Sequence, residues 1–158
     1  MSKASMTYDR SRLEEDFRAK ARLKFVFFWG HQPAKDGRIT TSCFSQWWPA
    51  SFDVAGVRYP TAEHWMMAGK ARLFGDEQSL SEILTAASPK QAKQLGRGVK
   101  GFESSHWDAQ KYRIVTEGSI HKFGQNPALK EFLLSTGEAV LVEAKSRRQG
   151  VGHRPRRR

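Results

Sequence analysis

In the stretch Pro60-Thr-Ala-Glu-His-Trp-Met-Met-Ala-Gly-Lys70, a carboxylate and an amine stand seven residues apart. On a helix that spacing puts Glu63 and Lys70 on one face, two turns and roughly 10 Å apart along the axis. Both side chains are long enough to converge on one ligand. There the carboxyl would donate or accept a proton. The amine would bind an anion or attack a carbonyl-like carbon. The same spacing equally describes an exposed charge pair on a solvated face. The neighbouring Trp65, Met66 and Met67 read as core residues.

A second candidate is Phe102-Glu-Ser-Ser-His-Trp107-Asp. An aromatic ring at a helix start is placed either to stack on a planar base or to anchor the helix in the core. Arg97, beside Gly96, falls at a helix end. It would hold a phosphate there, or satisfy the last carbonyls of that helix.

Other chemistries lack their residues. Cys43 is the single cysteine and has no activating neighbour in sequence. The five histidines, at 31, 64, 106, 121 and 153, show no ligand spacing, and neither CxxC nor HExxH occurs. Gly96-Arg97-Gly98 is too short for a phosphate-binding loop. No metal and no cofactor are implied.

The elements that must carry these residues are legible in outline. Residues 1–24 mix charges with loosely spaced Leu13, Phe17 and Leu23 and predict a flexible or marginally helical extension. Residues 24–30 read as a strand, 40–44 as a second strand, and 52–59 as a hairpin turning at Ala55-Gly56. Thr61 caps a predicted helix over 62–74, ended by Gly75-Asp76, and Asp76 caps another over 77–87. Ser88-Pro89 opens a helix to about Leu95, residues 105–123 form the longest helix, and Asn126-Pro127 starts one through Leu134. A last strand covers 139–143. Strands, then helices, then a strand predict an α+β fold: a helix-dominated single domain with a small sheet.

Composition bounds the setting. A chain of 158 residues suits one domain able to bury roughly 70% of its unfolded surface. One cysteine forbids an intrachain disulfide and fits a reducing compartment. No apolar run nears the ~18 residues of a membrane span, and the N-terminus has no signal-peptide core, so no membrane and a cytoplasmic location are expected. The net charge of +11 invites a nucleic-acid partner. Seven of the cations, however, lie in residues 145–158, which hold no acid, and the rest of the chain carries only +4. Charge confined to an end is commonly a solvated tail, here with at most nonspecific nucleic-acid contact. The mildly basic body suits an anionic small molecule.

An ordered series of short motifs goes further. It runs from Phe28-Trp29-Gly30 through Phe44-Ser-Gln46-Trp47-Trp-Pro49, then Tyr59-Pro-Thr-Ala-Glu63-His and Ala68-Gly-Lys70-Ala. It continues in Leu73-Phe-Gly-Asp76, Ser88-Pro-Lys, Lys93, Leu95-Gly-Arg97, Phe102, Trp107, Lys122-Phe123, Thr136-Gly137 and Leu141-Val-Glu-Ala144. Over 25–144 the chain resembles the NADAR superfamily, or YbiA-like proteins. That resemblance implies a YbiA-like domain over these residues and cleavage of an N-glycosidic bond. The substrate it implies is a phosphorylated ribosyl-base of the riboflavin pathway, or an ADP-ribosyl group on guanine. It implies catalytic roles for Glu63, Lys70 and Trp107. Substrate contacts would come from Trp29, Gln46, Trp47 and Arg97. A non-catalytic nucleotide or nucleic-acid-binding protein is the alternative.

After Ala144 the chain departs from the family, which continues with an Asp and then Trp-Gly-Ile-Gly-Leu. Residues 145–158 are instead a basic run, expected to be disordered. One synonymous codon set for 146–158, read from its second nucleotide, encodes Ala-Gly-Gly-Arg-Val-Trp-Gly-Ile-Gly-Leu. A frameshifted C-terminus is therefore expected, and with it an impaired enzyme.

Overall fold

The computed structural model of the chain describes residues 8–145. Its elements follow local chemistry closely. Asp9 caps α1 (Arg10–Arg18), none of whose residues is buried. The apolar run at Phe25–Phe28 forms β1, which pairs in parallel with β4 (Val140–Glu143), Phe25 opposite Val140 and Phe28 opposite Glu143. β2 (Phe52–Val54) and β3 (Val57–Tyr59) form an antiparallel hairpin. Its two turn residues, Ala55 and Gly56, both have positive φ, as a tight two-residue hairpin turn requires.

Thr61 Oγ accepts from the His64 N–H and starts α2 (Ala62–Leu73). Asp76 caps α3 (Glu77–Leu84) in the same way, and Ser88, followed by Pro89, caps α4 (Pro89–Arg97). The Glu103 carboxylate accepts from the Ser105 and His106 N–H groups at the head of α5 (Ser104–Gln125). Pro127 opens α6 (Pro127–Ser135).

Helix α2 is the hub, packed by α3, α4 and α5. Its Met67, Ala68 and Ala71 are buried with Phe52, Tyr59, Ile83 and Ala92 in the main core. Small residues allow the close approach. A Cβ on Gly96 would lie 2.0 Å from the Met67 sulfur, and one on Gly118 of α5 would lie 2.4 Å from the Trp65 ring. A second cluster, Cys43, Phe44, Trp48, Ala50 and Leu129, joins the β1–β4 ribbon to α6.

The fold is helix-dominated α+β, as the order of elements implies, with three details changed. The small sheet is two separate two-stranded ribbons among the described residues. The strand expected over 40–44 is a short 3-10 helix, Thr41–Phe44. Its carbonyls need no partner strand, because the buried Lys122 ammonium on α5 donates to Cys43 O at 2.6 Å and Ser45 O at 2.8 Å. Helix α3 also stops earlier than expected, where Thr85 Oγ bonds back to the Ser81 and Glu82 carbonyls. Among the described residues, no helix is long and apolar enough to cross a membrane. The frameshift expected over 146–158, and the basic tail expected over 145–158 apart from Lys145, lie outside the described residues.

Candidate active site

Glu63 sits in the first turn of α2, and its N–H donates to Gln46 O at 3.0 Å. That bond ties the helix start to the segment that follows the 3-10 helix. Glu63 is only 5% exposed. Burial raises its pKa above the ordinary carboxylate value. The Lys93 charge and the Trp47 indole pull it back, and the Glu143 carboxylate pushes it up again.

Two turns along the same helix, Lys70 reaches across to α4. Its ammonium donates to Gly96 O at 2.7 Å and lies 4.4 Å from the Phe102 ring centroid and 5.7 Å from that of Trp107. Gly96 O is one of the carbonyls left open at the end of α4, so Lys70 supports that helix through to Arg97. Burial lowers the Lys70 pKa, since the ammonium has exchanged part of its hydration for ring faces and one carbonyl.

These groups share one cavity of about 370 Å³. Gln46, Trp47, Glu63, Lys70, Arg97 and Trp107 all line it. Trp107 stands half-buried in the first turn of α5, neither a core anchor nor fully exposed. Arg97 closes α4 with its side chain exposed toward the cavity mouth. Trp29 is not brought in: it is 60% exposed. The alternation of β1 explains this, for Val26 and Phe28 face inward while Phe25, Phe27 and then Trp29 face out.

Sequence reasoning left out of the site two charged residues that line the cavity, Lys93 and Glu143. Lys93 carried a usable signal, being four residues before Arg97 and so on the same face of α4. Glu143 belonged to the Leu141–Ala144 motif but had no local spacing that tied it to the site, because the pairing of β4 with β1 places it. His64, next to Glu63, is buried but fully engaged: its ring meets Thr61 Oγ at 2.8 Å and Ala86 O at 3.0 Å. The carbonyl can only accept, so Nε2 carries the proton and Nδ1 accepts from the hydroxyl. Burial lowers its pKa and keeps it a neutral structural bridge. Among the described residues, no cluster of His, Cys, Asp or Glu could hold a metal ion.

The cavity thus combines a carboxyl that holds its proton more tightly than usual, an amine that releases its proton more readily than usual, an aromatic ring and further cations. The model of the NADAR domain matches residues 27–157. The chain belongs to the NADAR family. This NADAR chain is 42% identical over 126 residues to "N-glycosidase R617" of Acanthamoeba polyphaga mimivirus, covering 77% of this chain and 72% of the viral protein. It is 34% identical over 96 residues to "N-glycosidase YbiA" of Escherichia coli, covering 61% of this chain and 57% of YbiA. A stretch of 93 residues is 36% identical to the maize "Riboflavin biosynthesis protein PYRR, chloroplastic", covering 54% of this chain and 15% of that one. The NMR structure of E. coli YbiA superposes on the NADAR chain with a TM-score of 0.62 at 27% identity, covering 80% of this chain and 71% of YbiA.

Proposed function

We propose that this cavity hydrolyses the N-glycosidic bond between a phosphorylated ribosyl group and a nitrogen base. The observation that carries the reading is the buried carboxyl of Glu63 in one cavity with Lys70 and Trp107. Relatives named N-glycosidases give the bond type. The maize relative named for riboflavin biosynthesis fits a ribosyl phosphate on an aminopyrimidine, and an ADP-ribosyl group on guanine has the same bond. The lone thiol, Cys43, suits a reducing, cytoplasmic setting.

The chemistry assigns each residue a task. Glu63, protonated, gives its proton to the leaving base nitrogen as the carbon–nitrogen bond breaks and its electron pair stays on the base. The resulting carboxylate then takes a proton from the water that bonds to the anomeric carbon. Trp107 stacks on the base, and Trp47 and Gln46 bound the ribosyl side. Arg97 and Lys93 hold phosphate as charge-assisted donors. Trp29 lies outside this cavity and has no part in the reading.

Lys70 admits a covalent route, favoured by its lowered pKa. As the free amine it bonds to the anomeric carbon as the carbon–nitrogen bond to the base breaks and the base leaves with the Glu63 proton. An amine proton then passes through the Glu63 carboxylate to the ring oxygen as the C1–O4 bond opens to a Schiff base. Water adds to that Schiff base and releases the open-chain sugar, restoring the amine.

Incubation with a ribosyl 5-phosphate aminopyrimidine and with ADP-ribosyl guanine, followed by product analysis, tests the reading. Ribose 5-phosphate or ADP-ribose is released, and Glu63→Gln slows release by ~10²–10⁴-fold. Full activity in Glu63→Gln would remove the acid–base assignment.

A further inference from the structure

Among the described residues, one apolar face has no cover. In the parallel pair β1–β4, Phe25 stands opposite Val140 and Phe27 opposite Val142, so these four side chains share one side of the ribbon. The other side presents Val26, Phe28 and Leu141 to the second core cluster and Glu143 to the cavity. The outer side meets water instead. Phe25 is 41% exposed, Phe27 53%, and Trp29, next in the alternation, 60%. The Phe25 and Phe27 rings stack at 6.0 Å, centroid to centroid. Helix α1 extends the face. Its Leu13 and Phe17, the latter 73% exposed, line a groove of about 260 Å³ together with Phe25.

Two observations call for a cover. Parallel strands occur almost only where both faces of the sheet are buried, and this pair has one face buried. Helix α1 has nine residues and buries none of them, and a helix that short is marginal without packing. Size and charge then select what covers them. Aromatic side chains bury about 150–250 Å² each, so at these exposures the four rings offer roughly 350–550 Å². A standard interface takes about 800 Å² from each partner. The rings supply about half of that, with Val140, Val142, Leu13 and the α1 surface beside them for the rest. Helix α1 carries three arginines and three acids, and Arg10, Arg12 and Arg18 each pair with an acid on the same helix. It is a neutral surface on a chain of net charge +11. A nucleic acid or an acidic partner gains nothing from such a surface, whereas a second copy of a basic chain meets least repulsion there.

We propose that the Phe17–Phe25–Phe27–Trp29 face is a homodimer interface, covered by the same face of a second copy about a two-fold axis. One patch serves both copies, as a two-fold contact requires. Phe27 lies within the aromatic row and close to the axis. The dimer covers the outer side of both ribbons and gives α1 the packing it lacks. The cavity opens on the inner side, so both copies keep it accessible. This interface stands independently of the glycosidase reading.

Sedimentation equilibrium on the full chain, over about 0.1–100 µM, tests it. The mass rises with concentration from 18.0 kDa toward twice that value. Phe27→Glu raises the concentration of half-association by about thirtyfold or more, the scale of losing a central aromatic anchor. Its far-UV circular dichroism matches the parent, because Phe27 is exposed in the single chain. Phe27→Cys keeps the test decisive if that variant fails to fold. Under mild oxidation it cross-links to the same position of a second copy, while Tyr112→Cys, on an exposed part of α5 outside this face, does not. Cys43 is buried and does not compete. A mass of one chain at the highest concentration would overturn the proposal, whether another part of the chain or a different protein then covers the face. A dimer unmoved by Phe27→Glu, or cross-linked as readily through Tyr112→Cys, would overturn it as well.

Discussion

Glu63 is held in the fold at a cost in stability near neutral pH. Its folded-state pKa is raised by burial, so the native chain binds this proton more tightly than the unfolded chain. The sign follows: the contribution is fully present below the ordinary carboxylate value and is lost as pH rises through the raised one. At neutral pH the charged carboxylate is a burden on the fold, and Glu63→Gln, which cannot ionise, melts at a higher temperature than the parent. The gap closes as the pH falls below the ordinary carboxylate value, and thermal melts across that window measure it. Lys70 gives a second test at this scale. Borohydride added during turnover traps a covalent sugar adduct on Lys70, visible as a mass increase on its peptide. An unmodified peptide would leave Lys70 with anion binding alone. The pairing of these two residues was legible in sequence because a helix repeats predictably, so seven residues give one face. Their burial was not legible, since it depends on what α4, α5 and β4 place above them.

At the scale of elements, the cavity wall is held from behind by α5. The Lys122 ammonium satisfies the Cys43 and Ser45 carbonyls just before Gln46 and Trp47. Burial pushes its pKa down to about 8. Lys122→Met leaves two buried carbonyls without a donor, at about 1–3 kcal/mol each, and lowers the melting temperature by several degrees. Its KM for the glycoside also rises, because the Gln46–Trp47 wall loses its anchor. Steady-state kinetics on the folded fraction reads that effect separately from stability. Packing of α4 on α2 is the other lever. Gly96→Ala forces a methyl into the Met67 sulfur and costs about 1–3 kcal/mol. Adding Met67→Ala to Gly96→Ala recovers part of that loss, and a double-mutant cycle on denaturant midpoints measures the coupling. Caps and turns here were readable residue by residue: Thr61, Asp76 and Ser88 each cap the helix their side chains suggest. The 40–44 segment was not, because its partner is a lysine 77 to 79 positions away.

For the whole molecule, net charge was the least informative feature. A nucleic-acid-binding protein of this charge would show affinity falling with salt by about one log unit per log unit for each phosphate contacted. The glycosidase reading predicts instead that turnover of a small nucleotide substrate persists when such binding is abolished by salt. Hydrolysis assayed from low to physiological salt, beside a filter-binding assay for RNA and DNA, separates the two. Loss of hydrolysis in parallel with nucleic-acid binding would favour the polymer as ligand. The exposed faces of α1 and β1, with Phe17, Phe25 and Phe27 outward, take no part in the cavity.

The sequence alone determined the helix boundaries set by capping side chains, the hairpin at Ala55-Gly56, the helical face shared by Glu63 and Lys70, and the family. These depend on interactions within a few residues, or on an ordered set of motifs, and both survive in a linear string. Only the tertiary structure decided that Trp29 stays outside and that Lys93 and Glu143 face the carboxyl. Those facts depend on the parallel pairing of β1 with β4 and on the closeness of α2 to α4. Such contacts join residues far apart in the chain, where local periodicity carries no information.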